Sequence, residues 1–168
     1  MGLLVFLLTT FSFAQSNPDI VVQRVLQAPS SEAVGHFSDL EQLHQLMPQQ
    51  CMTDWVLGPQ RQGKGATSRV SFPLLHQRFF MVLRTVEADH VEWETLGRNG
   101  FITRLLVEPT EVGVKVTLHT YLNEPHKWVR KHFFDKVQPV WASCYEQALD
   151  RLAEKVTSVG QPGIDGRS

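Results

Sequence analysis

Apolar residues change their spacing three times along the chain, and each change marks a run of elements. Residues 19–27 are rich in β-branched side chains and predict a strand, which Ala28-Pro29 ends. Over 31–47 the apolar positions Val34, Phe37, Leu40, Leu43 and Leu46/Met47 recur at helical spacing, the mark of a helix with one buried face. Ser30 or Ser31 is placed to cap it, Ser38-Asp39 divides it into two short helices, and Pro48 ends it. From there the period is two. Strands are predicted over 52–57, 66–75, 78–86, 91–96, 101–107 and 112–122, separated by loops of hairpin length. These six strands form an antiparallel meander, and the first strand brings the sheet to seven. Pro73 predicts an edge position or a bulge late in the third strand. The helical period then returns. Asn123-Glu124-Pro125 has the form of a helix start, and Val129, Phe133, Val137, Val140/Trp141, Cys144, Ala148, Leu152 and Val156 continue one apolar stripe, with a kink expected at Pro139.

Alternation within the strands assigns their faces. Val91, Trp93 and Thr95 turn inward while Glu92 and Glu94 meet water; Phe101, Thr103, Leu105 and Val107 turn inward opposite Arg104 and Glu108. Phe79, Met81 and Leu83 share the face opposite Arg84. Ser68, Val70 and Phe72 alternate against Thr67, Arg69 and Ser71, which directs Arg69 outward.

Composition narrows the classes. The 168 residues are 42% hydrophobic and 20% charged, which fits one packed domain and excludes global disorder. Sixteen Lys and Arg against seventeen Asp and Glu give a net charge of -1, so the chain lacks the basic balance of a nucleic-acid binder. Two cysteines exclude a disulfide framework and a cysteine-rich zinc module. No apolar run reaches the roughly 18–20 residues of a spanning helix.

Residues 1–16 stand apart. Residues 1–14 are apolar and uncharged and close on Ser12-Phe13-Ala14, a small-x-small cleavage pattern, but no Lys or Arg precedes them. They predict either a signal peptide on an exported (periplasmic or secreted) protein or a mis-called start on a cytoplasmic one. The expected domain is 17–158, followed by a polar, Gly-rich, flexible tail over 159–168.

The order strand, two short helices, six-strand meander, long C-terminal helix resembles the helix-grip fold of the START-like (SRPBCC) superfamily. That group includes polyketide cyclase/dehydrase-type and lipid-transport proteins. The resemblance extends to Ala28-Pro29 followed by Val34-Gly35-His36-Phe37-Ser38-Asp39, to residues 41–48 ending in Pro48, and to residues 112–121 as a last strand. It implies an α+β fold, with a seven-stranded curved antiparallel sheet around the long C-terminal helix. It also implies an apolar ligand space between them. Phe72, Phe79, Met81, Trp93, Phe101, Thr103, Leu105, Phe133, Val137 and Trp141 are the residues that would line it, the alternative being that they simply fill a core. The implied partner is a hydrophobic small molecule of lipid, isoprenoid or polyketide-like character, bound without covalent chemistry. A cyclase or dehydratase and a protein-interaction module with a filled core are the alternatives.

Other motifs carry less. Residues 58–64 match a phosphate-binding loop in both glycines and the lysine, but Gly65 replaces the magnesium-holding Ser or Thr and a strand follows, so they predict a hairpin loop. The histidines have no metal-ligand spacing and no cofactor is called for. Cys51 and Cys144 are read as two free thiols; in the resembled fold they can be neighbours, so a pair is the alternative. Lys127, Trp128, Arg130 and Lys131 form a basic patch that would touch an anionic head group or membrane surface, or else a solvated helix face. Asp54, Arg69, Thr103 and Tyr121 are the polar candidates for the interior.

Overall fold

The computed structural model describes residues 17–97, 100–122 and 136–159. Strand β1 (Ile20–Leu26) leads into helices α1 (Ser30–Ser38) and α2 (Leu40–Leu46); strands β2 (Thr53–Leu57), β3 (Thr67–Phe72), β4 (Gln77–Val86), β5 (His90–Leu96), β6 (Phe101–Thr110) and β7 (Gly113–Leu122) follow, and helix α3 (Gln138–Val159) closes the fold. The seven strands form one curved antiparallel sheet in the order β1-β7-β6-β5-β4-β3-β2, a meander to whose last strand the first is added. Its inner face is covered by α3 and by α1 and α2.

The alternation holds strand by strand. Phe79, Met81 and Leu83 on β4, Val91 and Trp93 on β5, and Phe101, Thr103, Leu105 and Val107 on β6 are all buried, while Arg69 is exposed. The outer face carries ion pairs between neighbouring strands, Arg84 with Glu94 at 2.7 Å and Arg104 with Glu92 at 2.5 Å. On α3 the buried positions Trp141, Cys144, Tyr145, Ala148, Leu149, Leu152 and Val156 form the helical stripe that meets the sheet.

Three local expectations are corrected. Pro73 marks neither an edge nor a bulge: β3 ends at Phe72, and Pro73–Leu75 form a 3-10 turn into β4, a position where the missing N–H costs nothing. Helix α1 has no serine cap, because Ser30 and Ser31 lie inside it and the flanking residue is Pro29. Pro139 is the second residue of α3, preceded by a wider π-type turn at Lys136 and Val137 that accommodates its ring. The expected helix start at Asn123, together with residues 126–133, lies outside the described residues.

Asp39 holds the corner between the two short helices. Its Oδ1 accepts from the backbone N–H groups of Glu41 (2.8 Å) and Gln42 (3.3 Å), capping α2, and its Oδ2 accepts from the side chains of Gln62 (2.5 Å) and Gln42 (3.4 Å). Leu40 N–H donates to Arg61 O and Gly63 N–H to Ser38 O, so the β2–β3 loop, the stretch with the false phosphate-loop pattern, is stitched to this corner. Burial pushes the Asp39 carboxyl up, but the hydrogen bonds from Gln62, Gln42 and Glu41 together outweigh it and hold the group below the usual carboxylate range. A lowered folded pKa means stabilisation that is complete above the unfolded value of about 3.9 and lost as pH falls through the folded one. Asp39→Ala is therefore expected to cost about 1–2 kcal/mol at neutral pH, with the deficit shrinking below about pH 4. Urea unfolding of both proteins across pH checks it.

At the β6–β7 turn, Gly113 has φ +145° and a Cβ added there would sit 2.0 Å from the backbone oxygen of Leu26. Gly113→Ala must separate β1 from β7 as well as strain the backbone. It is expected to destabilise by more than about 1 kcal/mol in thermal unfolding.

Candidate functional site

The inner face has an aromatic end and a hydroxyl centre. Phe72, last in β3, meets Phe79 (ring centroids 5.0 Å apart), Phe101 (5.4 Å) and Trp141 (4.8 Å), and Trp141 also meets Phe101 at 5.2 Å. The edge-to-face angles of several of these pairs suit the aromatic quadrupole. Strand pairing explains the convergence: Phe101 opposes Leu122, where β7 ends, and Trp141 lies in the first turns of α3. The cluster thus occupies the end of the interior where β7 ends and α3 begins.

One step along the sheet lies the polar centre. Thr103 and Thr120 face each other across β6 and β7 with their hydroxyls 3.0 Å apart, and Tyr145 of α3 places its Oη 3.0 Å from Thr103 Oγ1 and 3.3 Å from Thr120 Oγ1. All three side chains are buried. Burial raises the Tyr145 phenol above its ordinary pKa, with hydrogen bonds from Thr103, Thr120 and Trp141 opposing the shift, so it stays a neutral hydroxyl at physiological pH. Trp93, opposite Thr103 on β5, stacks on Phe37 of α1 at 5.9 Å. The indole N–H of Trp93 is buried without a hydrogen-bond partner, whereas the buried Trp141 N–H leans on the Tyr145 hydroxyl.

The sequence-derived site residues are distributed as follows. Phe72, Phe79, Phe101 and Trp141 come together in the aromatic cluster; Trp93 and Thr103 belong to the centre; Met81 and Leu105 line the same face; Val137 is buried just before α3. Phe133, and the patch of Lys127, Trp128, Arg130 and Lys131, lie outside the described residues. Of the polar candidates only Thr103 is interior. Asp54 and Arg69 are exposed, and Tyr121 lies on the outer face with the Arg104 guanidinium 5.2 Å from its ring centre. Tyr145 and Thr120 were missed, although both were within reach: Tyr145 is four residues after Trp141 on one stripe, and Thr120 continues Val114, Val116 and Leu118.

The reading of two free thiols is overturned. Cys51 and Cys144 form a disulfide with Cα atoms 6.1 Å apart, joining the turn before β2 to the second turn of α3. Arg151 Nη1 donating to Leu46 O (3.2 Å) and Lys155 Nζ to Gln45 Oε1 (2.8 Å) run along the same seam. The general preference of lone cysteines for plain core positions yields here to a turn and a helix held side by side.

No protein-family model matches the chain, and no curated protein matches it. Solved structures do. The KanY protein shares 14% sequence identity with it at a TM-score of 0.69, over 82% of this chain and 95% of that one. A protein from Thermus thermophilus shares 16% at 0.66, over 84% and 99%. DynU16, described as a putative protein in the dynemicin biosynthetic locus, shares 15% at 0.57, over 85% of this chain and 48% of its own. The chain has a helix-grip-like fold. At these identities the likeness fixes the fold, and function rests on the site.

Two of the surface grooves are lined by described residues on the sheet rather than between sheet and helix. One, of about 250 Å³, is lined by Val56, Leu57, Gly58, Thr67, Ser68, Arg69 and Phe80; the other, of about 290 Å³, runs along Thr53, Asp54 and residues 71–73 and 76–78.

Proposed function

We propose that the chain binds an apolar small molecule at the aromatic end of the helix-grip interior, between the sheet and α3, and that it does so without covalent chemistry. The observation that carries this is the gathering of Phe72, Phe79, Phe101 and Trp141 beside a buried hydroxyl centre, at the end where β7 hands over to α3. A binding surface for a lipid, isoprenoid or polyketide-like body needs this combination, large apolar rings with a few placed polar groups. The buried titratable groups among the described residues are Asp39, committed to capping α2, and Tyr145, held neutral. Neither is poised as a general base, which favours a carrier over a cyclase or dehydratase. The cyclase reading keeps one support, the biosynthetic-locus description of DynU16.

A protein-interaction role is favoured by a different observation, the exposed row of Val56, Phe80 and Leu96, in which Phe80 is 62% exposed and opposes Leu96. A buried disulfide fits an oxidising compartment, and with the apolar segment 1–14 it supports export. No helix among the described residues is long and apolar enough to cross a membrane.

Titration with N-phenylnaphthylamine, an uncharged dye that fluoresces in apolar sites, tests the binding reading. Saturable uptake with energy transfer from tryptophan is expected. Absence of uptake would move the function to the exposed row.

A further inference from the structure

The sheet's basic side chains are held by acids at several places, but not in one corner of its outer face. Arg84 is held by Glu94, Arg104 by Glu92, Arg24 by Asp150 and Lys115 by Glu108. Arg69 on β3 and Arg78 on β4 are exposed, and neither has an ion pair among the described residues. Strand register places these two together. Arg69 is the cross-strand partner of both Val56 and Phe80, and Phe80 is that of Leu96. Arg78 lies two residues from Phe80 on the same strand, and so on the same face. The corner therefore presents Phe80, 62% exposed, with Val56 and Leu96 also exposed and two unpaired guanidinium groups set among them. Val56, Arg69 and Phe80 line the groove of about 250 Å³. Of the acids around it, Glu94 is engaged with Arg84, and Asp54 lines the neighbouring groove with Arg78 rather than this one.

We propose that this corner docks on an anionic lipid bilayer, with Phe80, Val56 and Leu96 entering the interfacial layer and Arg69 and Arg78 meeting lipid phosphates. A guanidinium group binds phosphate through paired N–H donors, and each cation near an anionic leaflet adds an attraction that salt screens. Charge and size select the occupant. A second copy of the chain, set face to face on this corner, would bring arginines against arginines. The row from Val56 to Leu96 spans three strand spacings, about 14 Å. A patch of that width falls well short of the roughly 800 Å² per side of a standard protein interface. A bilayer sets no such minimum, since binding there grows with whatever apolar surface enters and with the charge beside it. Exposure alone would serve a protein partner equally; the unpaired arginines and the small area favour the membrane. The proposal goes beyond the interior binding reading and does not rest on it.

Co-sedimentation of the full chain with two kinds of vesicle tests it: phosphatidylcholine alone, and phosphatidylcholine with about one-third phosphatidylglycerol. The wild-type protein is expected to prefer the anionic vesicles by about 25-fold, roughly fivefold for each arginine, with the preference fading as salt is raised. The double variant Arg69→Gln/Arg78→Gln should lose that preference, and Arg69→Lys/Arg78→Lys should keep most of it. Phe80→Ser should weaken binding to the anionic vesicles by about tenfold, the effect of withholding one large apolar side chain. All three side chains are exposed, so these variants are expected to keep the wild-type thermal unfolding. Equal binding to the two kinds of vesicle overturns the proposal. So does a preference that survives the double glutamine variant, which would move the contact to residues 127–131. Capture of the protein by soluble polyglutamate without binding to vesicles also overturns it, and gives the corner to an acidic protein partner. Uptake of N-phenylnaphthylamine is read separately, so loss of either reading leaves the other standing.

Discussion

Replacing both Cys51 and Cys144 by alanine is expected to lower the stability of the fold by about 4.5 kcal/mol, the chain-entropy value for a cross-link of this span. The bridge closes a loop with a sequence separation of 93 residues, which contains β2 to β7, so it restrains nearly the whole sheet in the unfolded chain. In the folded state it pins the turn before β2, where Cys51 N–H donates to Pro48 O, to the second turn of α3. A loss of this size is a large part of the roughly 5–15 kcal/mol that holds a typical domain together. Guanidinium unfolding of the wild-type protein with and without dithiothreitol, beside the double variant, measures it. The reduced wild-type protein and the variant should unfold together, well below the oxidised protein. Two titratable thiols in the unreduced, denatured protein would contradict the bridge outright.

Trp141→Ala is expected to cost about 3–5 kcal/mol, the range for removing a large aromatic side chain from a packed interior. Trp141 of α3 touches the rings of Phe72 and Phe101 and that of Tyr145 within its own helix, so its loss opens the contact between helix and sheet at the aromatic end. Trp141→Phe keeps a ring in place and should lose much less. Because Trp141 lies one turn from Cys144, the two effects will not add, and the variant is to be compared in the oxidised protein. Near-ultraviolet circular dichroism and thermal unfolding read both quantities. A cost below about 1 kcal/mol for the alanine variant would mean that the ring cluster is not packed as described.

The sheet was legible because its periodicity is strict. In Val91-Glu92-Trp93-Glu94-Thr95 every second residue is charged, and a shift of register by one would bury both glutamates. The break between α1 and α2 was legible in Ser38-Asp39 because a capping aspartate carries its own mechanism. Pro73 was misplaced because a proline can end a strand as well as edge one, and only pairing on both sides of β3 decides between them. The disulfide was illegible for a related reason: nothing local in residues 48–51 or in the α3 stripe says that the two lie 6.1 Å apart. The hydroxyl triangle needed register as well as facing. Thr103 was seen as inward, but its meeting with Thr120 depends on the β6–β7 pairing, and Tyr145 on how α3 crosses the sheet.

Native mass spectrometry of the protein purified from its own host, followed by extraction and identification of any released molecule, tests the central claim most directly. The account predicts one apolar molecule per chain, released on unfolding and displaced by N-phenylnaphthylamine. A chain that leaves its host empty and does not bind N-phenylnaphthylamine would contradict it, and would identify the aromatic interior as a filled core.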